Sequence, residues 1–254
     1  MSYREIAPTP ALRRYVRCFW VARATVVDVA EARPQRVLPD GCMDIILARR
    51  GTERDGREAF ALTAVGAMTR FLDATALPLR LGVRFEPGMG AAFFGAHAPS
   101  LTDAEVPLGE FWGEEEERLL SALTHSSSTS GRIRTLERFL IHRLDAARVP
   151  DPDVQSIVER IRATRGQLAV ADLVRSLRWS DRHLRRRFRS TVGVGPKTFA
   201  RIVRLQEAVR RASAAPIGWA DVAAEAGYYD QAHMIAEFRA LAGRTPVEQL
   251  AAQS

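Results

Sequence analysis

Five arginines fall between positions 182 and 189, at 182, 185, 186, 187 and 189. The chemistry they offer is recognition of a polyanion. The planar guanidinium fork pairs with phosphate oxygens and with O6 and N7 of guanine in a major groove. The apolar residues of the same segment, Leu184, Phe188 and Val192, are spaced by four and form one stripe on a helix. Turning that stripe inward leaves a nearly continuous cationic face. The charge balance agrees. From 151 onward there are 17 Lys and Arg against 11 Asp and Glu, which is +6 of the chain's net +7. Nearly all the excess positive charge therefore sits in the last hundred residues, the footprint of a nucleic-acid partner.

Other chemistry is sparse. The histidines at 97, 125, 142, 183 and 233 show no ligand spacing, and the two cysteines, Cys18 and Cys42, form neither a Cys-x-x-Cys pair nor a disulfide framework. No catalytic centre, metal or cofactor is expected. Asp40, Asp44 and Arg84 are candidates for a ligand site, with Arg84 suited to an anionic effector, although Asp40-Gly41 also reads as a tight turn. Cys18 and Cys42 fit buried thiols in a β core, with a redox pair as the alternative.

The elements that must hold the arginines come from a repeat. Phe-Arg-x-x-x-Gly-x-x-Pro occurs at 188–196 and again at 238–246, fifty positions later. Ser180 can cap the first arginine helix and Asp230 the second, because each offers an oxygen to an orphan amide. Gly193 and Gly243 stop them, and Pro196 and Pro246 start the next helix. Ahead of each lies a short helix, with Ala171, Leu173, Val174 and Leu177 in one copy and Trp219, Val222, Ala223 and Ala226 in the other. Two short helices joined by a tight turn make a helix-turn-helix. Gly227 suits the second turn, whereas Arg178 at the matching place in the first would be strained by a positive φ. Helical hairpins with no role in DNA binding are the plain alternative.

From about 155 to 252 the chain resembles the AraC/XylS family DNA-binding domain. The residues that carry the resemblance are Trp179-Ser180-x-Arg182-His183-Leu184-x-Arg186-x-Phe188, Ala223-x-x-x-Gly227-Tyr228-x-Asp230-Gln231-x-His233 and the closing Gly-Arg-Thr-Pro at 243–246. The resemblance implies two recognition helices in successive major-groove faces, joined by a helix over 196–212 about 25 Å long. It also implies base contacts from Arg182, Arg185, Arg186, Gln231, Ala232, Ile235 and Ala236. Backbone or supporting roles fall to Ser180, His183, Arg187, Arg189, His233 and Arg239. The family often carries a polar or basic side chain where Ala236 stands, so the first unit is expected to dominate specificity and the second to anchor.

Residues 1–150 read differently. Apolar, β-branched stretches at 15–29, 35–48, 59–67 and 77–85 are broken by Arg33-Pro34, Arg50-Gly51, Asp55-Gly56 and Pro87-Gly88, a pattern of short strands. Helical pattern returns at 114–123 and 132–147, with Ser126–Gly131 between them as a flexible connector and Ser130 as a cap. Trp20, Trp112 and the Phe93-Phe94 pair read as core. Val37–Ile45, Gly82–Ala91 and the stretch from Leu101 to Gly113 resemble the cupin-like N-terminal domain found beside this DNA-binding domain in actinobacterial-type regulators. The expected fold is α+β. A β-rich barrel or sandwich domain occupies 1–113, a helical connector with a possible dimerisation role 114–150, and an all-α domain with two helix-turn-helix units 151–254.

No run of about 18 apolar residues allows a membrane span, and the N-terminus lacks a signal-peptide layout, so a cytoplasmic, nucleoid-associated bacterial protein is expected. The expected partners are double-stranded DNA, a small-molecule effector, a second copy of the chain, and RNA polymerase if the protein activates. The family resemblance implies a sequence-specific transcription regulator. The competing reading is an enzyme or repair protein fused to a DNA-binding tail. An alkyl-transfer repair protein would need a Pro-Cys-His nucleophile, which is absent. A ligand-free architectural DNA binder is a third.

Overall fold

The computed structural model describes residues 2–24, 35–52, 58–74, 79–145, 150–177, 179–214 and 218–251. The turns expected at Arg33-Pro34 and Asp55-Gly56, and the strain expected at Arg178, lie outside these residues. The strands are β1 (Ser2–Ile6), β2 (Val16–Arg23), β3 (Gln35–Val37), β4 (Asp44–Thr52), β5 (Glu58–Val65), β6 (Leu72–Ala74), β7 (Arg80–Phe85) and β8 (Glu105–Pro107). The β-rich part is a six-stranded antiparallel sheet in the order β1-β2-β7-β4-β5-β8, with β3 and β6 forming a separate two-stranded ribbon. Period-2 alternation sorts the two faces. Ile45 and Leu47 sit between Val83 and Leu81 on one side and Ala64 and Leu62 on the other, all buried in one core. The alternate residues Asp44, Ile46, Trp20 and Arg84 point to the opposite face, where a cavity opens.

The helices are α1 (Gly90–Phe94), α2 (Gly109–Trp112), α3 (Glu114–His125), α4 (Thr129–Arg143), α5 (Pro152–Ala163), α6 (Val170–Leu177), α7 (Asp181–Val192), α8 (Pro196–Ala214), α9 (Trp219–Glu225), α10 (Gln231–Ala242) and α11 (Pro246–Ala251). Two details correct the sequence reading. The cap of α4 is Ser128, whose hydroxyl accepts from Gly131 N at 3.0 Å, and the expected cap Ser130 lies inside the helix. The expected flexible connector is a short bend at Ser126–Ser128, and Arg132 Nε reaches back across it to the Leu123 carbonyl. Trp112 and Phe93-Phe94 are buried as expected, and Trp112 Nε1 donates to the Phe93 carbonyl.

The core is divided unequally. Leu184, Phe188, Val192 and Phe199 share one continuous apolar cluster with the sheet and with α3–α5. Met234, Phe238 and Leu241 form a second cluster with Leu205 of α8 and Val222 of α9. The first helix-turn-helix is thus fused to the β-rich part, while the second carries its own core.

Candidate nucleic-acid interface

Both units fold as the repeat requires. Ser180 Oγ accepts from His183 N at 3.2 Å, and Asp230 Oδ1 accepts from His233 N at 2.7 Å. Gly193, Gly227 and Gly243 have positive φ, and Pro196 and Pro246 are the first residues of α8 and α11. Leu184, Phe188 and Val192 of α7 are buried together, which turns Arg182, Arg185, Arg186 and Arg189 to solvent. Arg185 Nε sits 2.9 Å from Asp181 Oδ2, an exposed i,i+4 pair of little energetic weight that leaves the guanidinium free to exchange partners. On α10, Gln231, Ala232, His233, Ala236 and Arg239 are exposed and Ile235 is half-buried.

One position of the repeat has been built in two opposite ways. Arg187 in the first unit matches Glu237 in the second. Arg187 Nε and Nη2 donate to Asp151 at 2.9 and 2.8 Å, and its guanidinium lies 4.5 Å from the centre of the Trp179 ring. Asp151 also caps α5, accepting from the amides of Asp153 and Val154. Glu237 is buried and accepts from Arg201 Nε of α8 at 2.5 Å. Arg187 is therefore committed to bracing α7 against α5, and Glu237 to bracing α10 against α8. The histidines differ too. His183 is half-buried, edge-on to Trp179, whereas His233 is exposed and edge-on to Tyr228.

The β-rich part grips the C-terminal cap of the second helix of each unit, α7 and α10. Thr102 Oγ1 donates to the Gly193 carbonyl at 2.8 Å. Phe71 N donates to the Leu241 carbonyl at 2.7 Å, and Arg36 Nη1 to the Ala242 carbonyl at 3.3 Å. The joining helix α8 is held as well: Gln206 Nε2 donates to the Pro39 carbonyl at 2.7 Å, and the Phe199 ring packs on Gly41. Gly41 has φ +75°, and a Cβ there would come within 2.4 Å of that ring.

The ligand candidates Asp40, Asp44 and Arg84 are brought together. Arg84 donates through Nε and Nη2 to both oxygens of Asp44, at 3.2 and 3.1 Å, and its Nη1 lies 3.2 Å from Asp40 Oδ2. Trp20 Nε1 adds a third bond to Asp44 at 3.0 Å. Asp40 Oδ1 accepts from Cys42 N, so Asp40-Gly41 is also the turn the sequence suggested. These groups line a cavity of about 910 Å³ between the sheet and α8, where Phe199, Gln206 and Gln249 form the far wall. Cys18 and Cys42 are free and buried, and burial pushes the Cys18 thiol up to about 12.

Sequence reasoning missed Asp151, Arg201, Phe71 and Arg36, because each acts on a residue far away in the chain. It also passed over Tyr229, which stands 92% exposed in the turn before α10.

Residues 173–251 match a family model described as a helix-turn-helix domain, which bears out the helix-turn-helix reading of the repeat. Residues 4–107 match one described as a domain of unknown function (DUF6597). No curated protein matches. Among solved structures, the fold is similar to that of a single-residue variant of apo ToxT from Vibrio cholerae strain SCE256, with 10% identity over 93% of this chain and 98% of that one and a TM-score of 0.46. A second ToxT structure from Vibrio cholerae, at 1.65 Å resolution, has 11% identity over 99% of both chains and a TM-score of 0.45. No helix among the described residues is long and apolar enough to cross a membrane.

Proposed function

We propose that this chain, with its helix-turn-helix domain at 173–251, is a sequence-specific DNA-binding transcription regulator that reads one duplex with α7 and α10. The observation that carries the reading is the paired geometry: two capped helices in tandem, each with its apolar stripe buried and its opposite face exposed. The recognition helix of a helix-turn-helix lies in the major groove with its N-terminal residues on base edges. Arg182, Arg185 and Arg186 then serve as donors to guanine and phosphate, and Gln231 as the amide reader, with Ala232, Ile235 and Ala236 beside it. Arg189 and Arg239 suit the flanking phosphates. Ser180, His183, Arg187 and His233 hold the helices in place. The division at 113 and 150 belongs to the same reading, as do assembly into a homodimer and a contact with RNA polymerase in an activator.

A small molecule in the cavity would touch the sheet and α8 at once, and α8 joins the two recognition units. Control by an effector at Arg84, Asp40 and Asp44 is therefore part of the proposal. The test is equilibrium binding of the full chain to a selected operator and to a scrambled duplex of equal length at one stated salt concentration. A regulator should prefer the operator by roughly 10³-fold or more, and equal affinity for both would refute the reading.

A further inference from the structure

We infer that Tyr229 is a DNA-backbone contact: its phenolic hydroxyl donates to a phosphate beside the groove that α10 enters. The inference rests on the DNA-binding reading and assigns to that interface a residue that neither the repeat nor the family motif marks.

Three observations carry it. Tyr229 is 92% exposed, the most exposed large apolar side chain among the described residues, and it immediately precedes the cap Asp230 and the exposed Gln231 and Ala232. Its counterpart in the first unit, fifty positions earlier, is Trp179. That ring is half-buried, edge-on to His183 at 4.9 Å and covered by the Arg187 guanidinium. The turn therefore does not demand an outward ring. In the second unit Tyr228 takes the packing role, buried and edge-on to His233 at 5.5 Å. Among the described residues, Tyr229 is left with no packing task in the fold. Finally, α10 exposes one arginine, Arg239, beside Gln231 and His233, where α7 exposes four arginines, so the second unit offers fewer cationic donors to the backbone. Tyrosine hydroxyls are common phosphate donors in protein–DNA interfaces, and such contacts fix register without reading sequence.

A neutral donor behaves unlike an arginine. It releases no counterion, so its removal weakens binding without changing the dependence of log K on log salt. The experiment compares the full-length wild type with Y229A and Y229F on a selected operator and on a scrambled duplex, by fluorescence anisotropy over a salt series. Thermal melts serve as the check on folding. Both variants are expected to lose about tenfold in affinity on both duplexes, with an unchanged salt slope and an unchanged melting temperature. Wild-type affinity in Y229A overturns the contact. Wild-type affinity in Y229F with weakened Y229A overturns the hydroxyl as its agent. A loss confined to the operator makes Tyr229 a base reader and contradicts the backbone assignment. If the wild type binds no duplex at all, the DNA-binding reading falls and this inference with it. If the wild type binds and both variants bind as tightly as it does, only the Tyr229 assignment falls.

Discussion

The ring of Phe71 lies over Gly243 so closely that a Cβ on the glycine would come within 2.2 Å of it. Phe71 also donates its amide to Leu241, and the Arg36 guanidinium stacks on the ring, 4.0 Å from its centre. The second recognition helix is thus tied by its C-terminal cap to the β3–β6 ribbon. Gly243 is needed twice there, for its φ of +66° and for this contact. Gly243→Ala is expected to cost about 2–4 kcal/mol, from a strained left-handed residue and an overpacked contact. Urea unfolding measures it, and a loss below about 0.5 kcal/mol would mean that the ribbon does not hold this cap.

Arg186, unlike Arg185, has no acidic partner among the described residues of its own helix, so its exposed guanidinium is available to a ligand. Arg186→Ala is expected to weaken operator binding by ~1–3 kcal/mol and to relax sequence preference at one position. Ala236→Arg is expected to strengthen binding and steepen the salt dependence by about one unit of slope. If Ala236→Arg changed sequence choice while Arg186→Ala did nothing, the first unit would not be the one that dominates specificity.

Glu237 braces α10 from below. Replacing it by Gln leaves Arg201 and Arg204 without their carboxylate beneath the second unit. Arg201 is about one third exposed, which softens the penalty, so a loss of roughly 1–3 kcal/mol is expected. The same variant should weaken DNA binding although Glu237 cannot reach DNA. Calorimetry together with a binding titration would check both effects, and a variant as stable as the wild type would show that the pair is dispensable.

Acid should loosen the end of α8. The Glu207 carboxyl is held below its ordinary 4.5, chiefly by hydrogen bonds from Arg210 and then Arg211, against an opposing effect of burial. A depressed folded-state value means that the stabilisation is complete above the unfolded value and disappears as pH falls through the folded one. Glu207→Gln should therefore lower the melting temperature at pH 7, and the gap to wild type should close as pH falls below the ordinary 4.5 and through the lower folded-state value. A gap that stayed constant from pH 7 to pH 3 would assign Glu207 a role that does not depend on its charge.

Local features of the interface are legible in the sequence because they depend on neighbours in the chain. The caps Ser180 and Asp230, the stops Gly193 and Gly243, and the stripe of Leu184, Phe188 and Val192 follow from spacing alone, and the structure has each of them. The opposite fates of Arg187 and Glu237 are not legible. Their partners, Asp151 and Arg201, lie 36 positions away, and no periodicity connects them. The strands at 16–23, 58–65 and 80–85 show themselves through their composition, whereas β4 runs through the break expected at Arg50-Gly51, which is a register shift inside the strand. Their order in the sheet, and the pairing of β3 with β6 across the cavity rim, depend on long-range contacts that composition does not encode. The cap of α4 is ambiguous in the sequence because serines stand at 126, 127, 128 and 130. Geometry selects Ser128, whose hydroxyl reaches the Gly131 amide, over Ser130.

The most direct test of two recognition helices acting on one duplex is selection of binding sites from a randomised double-stranded library with the full-length protein, followed by footprinting of the winners. The expected result is a bipartite motif whose half-sites are centred about 10 base pairs apart on one face, with α7 on a G·C-containing half. A library that returned no shared motif, or a single half-site indifferent to everything one turn away, would contradict it.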